Sequence, residues 1–279
     1  MSVHYKIIEY PDDVDMVVVS GDIHGEFGSI INKVIAQYSI TNALVIVAGD
    51  CGFGFERPGY YENIFNKYSR RLSAANVYFA FMRGNHDNPH YFKDGIIDWK
   101  RFMTIEDYTV IKVAGHNILC IGGAISIDRY DRYGVRLNSA RFWDGAPELM
   151  PGVYWPEEKV VLDKKALKDI IINEPVIDTV VTHTAPSFCE FTQKNGLIHA
   201  FERDKELEDD VIEERLTMDM IHKALVDNGR RPKNWVYGHF HASWHSTIED
   251  TTYTMLDIEE LKEIRNYAAS EESEENSSR

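Results

Sequence analysis

A chain of 279 residues with 44% hydrophobic and 12% aromatic content can bury a large core, which excludes a disordered or fibrous class. Its formal charge of −15 argues against a surface that grips nucleic acid non-specifically, because such binding runs on lysines and arginines that release counterions from the phosphate backbone. No apolar run approaches the roughly 18 residues of a membrane span, the charged N-terminal stretch lacks a signal-peptide core, and Cys51, Cys120 and Cys189 form neither a disulfide framework nor a CxxC pair. The expectation is a cytoplasmic protein with no membrane partner and three buried thiols.

Taken in chain order, short apolar runs at 16–20, 44–48, 77–82, 118–121, 176–182 and 235–237 read as buried strands, because they show no polar alternation. Helix-period segments at 27–38 and 60–73 lie between the first three, which predicts a β-α-β-α-β order of parallel crossovers. The segment 122–159 is the least regular and mixes Trp, Tyr, Phe and Arg with Gly and Pro, as an ordered functional loop does. A helix follows at 163–173 with Asp163 as its N-cap, and a longer one at 211–227. Segments 243–248 and 252–256 flank Glu249-Asp250-Thr251 and predict an antiparallel hairpin. Nothing within 1–269 resembles a linker, so these residues are expected to form one domain; 270–279, made of Ser, Glu, Asn and Arg, is expected to be a disordered acidic tail.

In parallel α/β sheets, ligands bind where strands give way to loops. Five of these strand ends carry metal-capable side chains: Asp22 and His24 in GDIHG, Asp50 in GD, Asn85, His86 and Asp87 in GNHD, His183 in TH, and His239 and His241 in GHFH. Two neighbouring cations repel each other, so they need a shared carboxylate together with neutral donors. Aspartates, an amide and imidazoles supply that mixture, and no thiolate is present to favour a closed structural zinc site.

Five such motifs in this order resemble the calcineurin-like metallophosphoesterases, over roughly Asp22 to His241. The resemblance implies a four-layer α/β/β/α sandwich of two mixed β-sheets, and two divalent ions (Mn, Fe or Zn) that provide a metal-bound hydroxide nucleophile. By the same pattern Asp22, His24 and His241 hold one ion, Asn85, His183 and His239 hold the other, and Asp50 bridges them. His86 would sit near the leaving-group oxygen as general acid or electrostatic stabiliser.

The start GDIHGEF, and Arg83 immediately before GNHD, resemble the bacterial and phage Ser/Thr phosphatase-like branch, in which that arginine contacts a phosphate oxygen. This points to a phosphorylated small molecule or a phosphoprotein as substrate. The second motif departs from the branch: in GDCGFGF, Phe53 stands where the aspartate that orients the catalytic histidine would be, which leaves Asp87 as the candidate partner of His86, and the motif's arginine is missing. Arg129, Arg132, Arg136 and Arg141, with Tyr130, Tyr133, Trp143 and Trp155, supply candidates for a substrate mouth, though each taken singly reads as packed or solvated. The acidic run near Glu206 reads as a solvated helix face. Two alternatives stay open at this level. One is a phosphodiesterase for cyclic or small nucleotide diesters; the other is an inactive scaffold of the same fold, which would have lost ligands.

Overall fold

The computed structural model describes residues 4–93, 95–189 and 200–265. The expected tail at 270–279 lies outside them.

The first three apolar runs form β2 (Met16–Ser20), β3 (Ala43–Val47) and β4 (Val77–Phe81), joined by α1 (Phe27–Asn32) and α2 (Pro58–Ala75) and paired in parallel, as the β-α-β-α-β order predicts. The α1 segment continues as a wider π-helical turn over Lys33–Gln37. A second set of strands comprises β8 (His116–Ile121), β9 (Thr179–Thr182) and β10 (Asn234–Tyr237), again parallel neighbours. After the single turn α3 (Arg129–Arg132), α4 (Lys164–Asn173) and α5 (Leu207–Asp227) pack against it, through Leu167, Ile170, Met218, Ile221 and Leu225. The hairpin is β11 (Trp244–Ile248) with β12 (Thr251–Met255). Asp163 caps α4: its Oδ1 accepts from the backbone N–H groups of Lys165 and Ala166 at 2.9 and 3.0 Å, an interaction of about 1 kcal/mol.

Among the described residues the sheets have seven strands (β1-β7-β8-β9-β10-β12-β11) and six (β13-β2-β3-β4-β6-β5), with β1 at Lys6–Glu9, β5 at Asp98–Trp99, β6 at Phe102–Thr104, β7 at Thr109–Val113 and β13 at Leu261–Ile264. Each central strand buries both faces. In β2, Val17 and Val19 enter a core between the sheets together with Ile118, Cys120, Val181 and Val236, while Val18 faces Ile30, Ile31 and Leu72 of the outer helices. Three apolar cores between four layers make the α/β/β/α sandwich. The two chain ends cross over: β1 lies on the edge of the seven-stranded sheet, and β13 pairs antiparallel with β2 in the other.

These edge elements, with β5, β6 and β7, escape the sequence reading because polar residues interrupt their apolar runs. In β7, for example, Lys112 reaches out to Glu174 at 3.0 Å. The three cysteines are buried free thiols, and no helix among the described residues is long and apolar enough to cross a membrane.

Candidate metal centre

Parallel pairing within β2-β3-β4 and within β9-β10 sends all five C-terminal strand ends to one edge, where the motif loops meet. Ligand-type atoms of Asp22, His24, Asp50 and His241 lie within 4.8 Å of one another, and so do those of Asp50, His183 and His239. Asp50 is common to both groups, as a bridging residue must be. The Asn85 Oδ1 joins the second group, 3.0 Å from His183 Nε2.

The donor chemistry fits two cations. His24 Nε2 and His241 Nε2 face each other at 3.0 Å. Asp22 Oδ2 is buried without a well-formed hydrogen bond, although His241 Nε2 stands 3.0 Å away. His183 donates from Nδ1 to the Ala48 carbonyl at 2.7 Å, which aims Nε2 at Asp50 Oδ1, 3.1 Å away. Burial opposes a charge on His183, yet the Asp50 and Asp22 carboxylates raise it to about 10, so the acidic side chains here call for positive charge. Burial also works against ionisation of Asp50, but the imidazoles of His183 and His86 hold its carboxyl well below the usual carboxylate range.

The backbone is bent to make this cluster. His24, Asp50, His239 and His241 all have positive φ, at 44, 47, 70 and 48°, a left-handed conformation that non-glycine residues adopt at a cost of order 1 kcal/mol each. Two glycines leave the necessary room. A Cβ on Gly84 would lie 2.2 Å from Asp50 Oδ1, and one on Gly238 would lie 2.2 Å from Asp22 Oδ1.

Two sequence expectations are corrected by the geometry. Asp87 does not orient His86. Its fully buried carboxylate accepts from the backbone N–H groups of Cys51, Gly52, Phe53 and Gly84 at 2.7–3.0 Å, stapling the loop after β3 to the loop after β4. Burial and the neighbouring Asp50 push it up to about 7, against the donors at Gly84, Cys51 and Phe53. Asp87→Asn would set an NH₂ against two of the donors, and the expected result is a loss of roughly 3–5 kcal/mol of folding stability, with each stranded N–H costing about 1–3 kcal/mol. Urea unfolding of the metal-stripped protein checks this, and a change below 1 kcal/mol would refute the staple.

Arg83, in turn, faces away from the ligand cluster. It is buried, donates from Nε and Nη2 to Asp107 Oδ2 at 2.9 and 2.7 Å, and spends its other donors on the carbonyls of Glu157, Glu158 and Lys159. A guanidinium committed in this way anchors a loop and has no fork left for phosphate. Phe53, in the place of the family's orienting aspartate, is fully buried among Phe27, Tyr61 and Phe81.

The partner of His86 comes instead from the irregular segment. Arg132 Nη1 lies 3.1 Å from His86 Nδ1, and Arg132 Nε donates to Asp128 Oδ2 at 2.6 Å. The loop is pinned one turn earlier, where Arg129 bonds Asp204 and Asp210 at 2.6 and 2.5 Å, so part of the acidic run is paired rather than solvated. Beside the ligands opens a cavity of about 260 Å³ with an apolar wall of Ile125, Ile127, Val211 and Phe240, and with Arg132, Asp128, Glu214 and Arg215 around it. Sequence reasoning missed Ser126, Glu158 and Glu214 near this wall. The strand-end rule would have reached Ser126, since β8 also runs directly into Gly122-Gly123.

Solved structures similar to the chain include GAP50, the anchor in the inner membrane complex of Plasmodium, at 10% identity over 87% of this chain and 71% of that one with a TM-score of 0.41. Another is phosphopantetheinyl hydrolase (PptH) from Mycobacterium tuberculosis, at 12% identity over 90% of this chain and 96% of that one with a TM-score of 0.39. Comparison with curated protein sequences finds no match. The calcineurin-like phosphoesterase family model matches residues 16–243, which include all five motif loops and the central strands of both sheets. With the sandwich and the strand-edge ligand cluster, that match makes the chain a member of the calcineurin-like phosphoesterase family and a metal-dependent phosphoric ester hydrolase.

Proposed function

We propose that the chain is a phosphomonoesterase of the Ser/Thr phosphatase-like branch that acts on a compact phosphate ester. The observation that carries this reading is Arg132, a guanidinium that lines the cavity beside Asp50, Asn85 and His86. A monoester dianion concentrates more charge than a diester, so a cation next to the ligand cluster favours it most. Arg132 thus takes the role that the sequence assigns to Arg83.

Asp22, His24 and His241 would hold one ion and Asn85, His183 and His239 the other, with Asp50 between them; Mn, Fe and Zn all suit these O and N donors. When bound, the ions supply charge neutralisation and an acidified water at neutral pH. The residues around them do the rest. Arg132 is always protonated and can only donate, so His86 Nδ1 accepts and the His86 proton sits on Nε2. Burial, with Arg132 adding to it, lowers His86 to about 4, which keeps the ring neutral. A neutral imidazole is a poor acid but a good hydrogen-bond donor, so His86 serves as a stabiliser of a phosphoryl oxygen. The apolar wall receives the carbon skeleton of the alcohol, whether a small molecule or a phosphorylated side chain of a protein.

The phosphodiesterase reading keeps one supporting observation: Asp128 is ion-paired to Arg132 and lines the same cavity, which reduces the positive charge offered to a dianion. Steady-state kinetics decide between the two. The expected result is a higher kcat/KM for phenyl phosphate than for bis-phenyl phosphate. Arg132→Ala should narrow that ratio by about 10–100-fold, equivalent to the ~1.5–3 kcal/mol of a charged hydrogen bond. A wild type that prefers the diester, or an Arg132→Ala variant that lowers both substrates equally, would reverse the assignment.

A further inference from the structure

We propose that Ser126 and Glu158 dictate which end of the Asn85 amide faces the cation site formed with His183 and His239, and so act as positioning residues for one of the two ions. This rests on the ligand assignment above.

An asparagine amide has two ends of nearly equal size, and only the oxygen can ligate a cation. In the structure Asn85 Nδ2 donates to Ser126 Oγ at 2.9 Å, Ser126 Oγ donates to Glu158 Oε2 at 2.6 Å, and Ser126 N donates to Glu158 Oε1 at 2.8 Å. The serine hydroxyl has one proton, and an ionised Glu158 accepts it in this hydrogen bond. What faces Asn85 is therefore a lone pair, which the NH₂ end alone can satisfy, and the oxygen is left pointing toward His183.

Asn85, Ser126 and Glu158 are 3%, 1% and 1% exposed, so water cannot relieve a mismatch. The chain is also held from behind. Arg83 donates to the Glu158 carbonyl at 2.8 Å, and a Cβ on Gly123 would strike that same carbonyl at 2.7 Å. This explains why the arginine before the motif is buried away from the ligands: it fixes the segment that carries Glu158. Burial pushes the Glu158 carboxyl up to about 8, while both Ser126 donors oppose the rise. A cation on Asn85 Oδ1 and an ionised Glu158 require the same direction of the chain, so each favours the other.

Glu158→Gln tests the direction with almost no change of shape. The new carbonyl would accept from Ser126 N, the new NH₂ would donate to Ser126 Oγ, and the hydroxyl proton would turn toward Asn85, which then has to present its NH₂ end to the site. Titration calorimetry of chelator-stripped protein with Mn²⁺ alone should show two ions on the wild type. On Glu158→Gln it should show one unchanged and one weakened about 10–100-fold. Ser126→Thr, which keeps the hydroxyl, should bind as wild type. Asn85→Asp has oxygen at both ends but meets a serine lone pair. Adding Glu158→Gln to it supplies the missing proton, so the double variant should bind the weakened ion more tightly than Asn85→Asp alone.

A merely structural role for Glu158 would predict a double variant worse than either single one, and that outcome overturns the inference. So does wild-type affinity at both sites in Glu158→Gln when Asn85→Ala loses one ion. If Asn85→Ala keeps both ions, the ligand assignment is itself wrong and the inference falls with it.

Discussion

Asp50→Asn is expected to fold, to lose both metals at ordinary concentrations and to be inactive. Asp50 alone belongs to both ligand groups. Two divalent cations about 3.5 Å apart repel by roughly 19 kcal/mol at an effective dielectric of 20, a repulsion that a shared negative charge offsets and a neutral amide does not. The substitution keeps the shape, and it keeps the acceptor for the His86 backbone N–H, which Asp50 Oδ1 receives at 2.8 Å. Folding should therefore survive. The loss of affinity should exceed the roughly 10–100-fold that follows from disturbing a group one bond further out, since here the ligand itself loses its charge. Elemental analysis after gel filtration, beside a circular dichroism spectrum, reads metal and fold separately. Two ions retained together with unreduced turnover would show that the bridge has been misassigned.

The central strands and the ligand cluster were legible in the sequence for one reason: buried parallel strands are unbroken apolar runs, and their C-terminal ends deliver side chains to a common edge. Asp22, His24, Asp50, Asn85, His183, His239 and His241 could be brought together by that logic. The roles of Arg83 and Asp87 could not, because whether a polar side chain beside a motif points at the site or behind it depends on partners distant in sequence. Arg83 turns to Asp107 and the loop at Glu158, and Asp87 turns back to the loop after β3. Arg132 was visible only as one of four arginines in an irregular stretch. Nothing local distinguishes it from Arg136 or Arg141; what selects it is the pinning of Arg129 by Asp204 and Asp210, some 75–81 residues away. The edge strands were hidden for the opposite reason, since half-exposed strands mix polar residues into short runs that carry little period.

His86→Ala is expected to keep both metals and lose about 10²–10³-fold in kcat, the usual effect of removing one hydrogen-bond donor from a developing oxyanion. The residue is not in either ligand group, and its Nε2 lies 4.0 Å from Asp50 Oδ2, close enough to reach a phosphoryl oxygen placed beside Asp50. The dependence on leaving group then separates two roles. A general acid gives its proton to the departing alkoxide, so its loss hurts phenyl phosphate far more than nitrophenyl phosphate, whose leaving group needs little protonation. A neutral donor to a non-bridging oxygen helps both alike. Because Arg132 holds Nδ1 as an acceptor, the deficit should be the same, within a few-fold, on the two substrates. Arg132→Ala frees that nitrogen to take a proton, so in this background the His86→Ala deficit should become larger on phenyl phosphate than on nitrophenyl phosphate. The acid contribution should be lost as pH rises through a His86 pKa that is higher than in the wild type but still held below the ordinary histidine value by burial. A deficit in His86→Ala that shrinks steeply with the better leaving group would restore the acid role and remove the case for the Arg132-held tautomer.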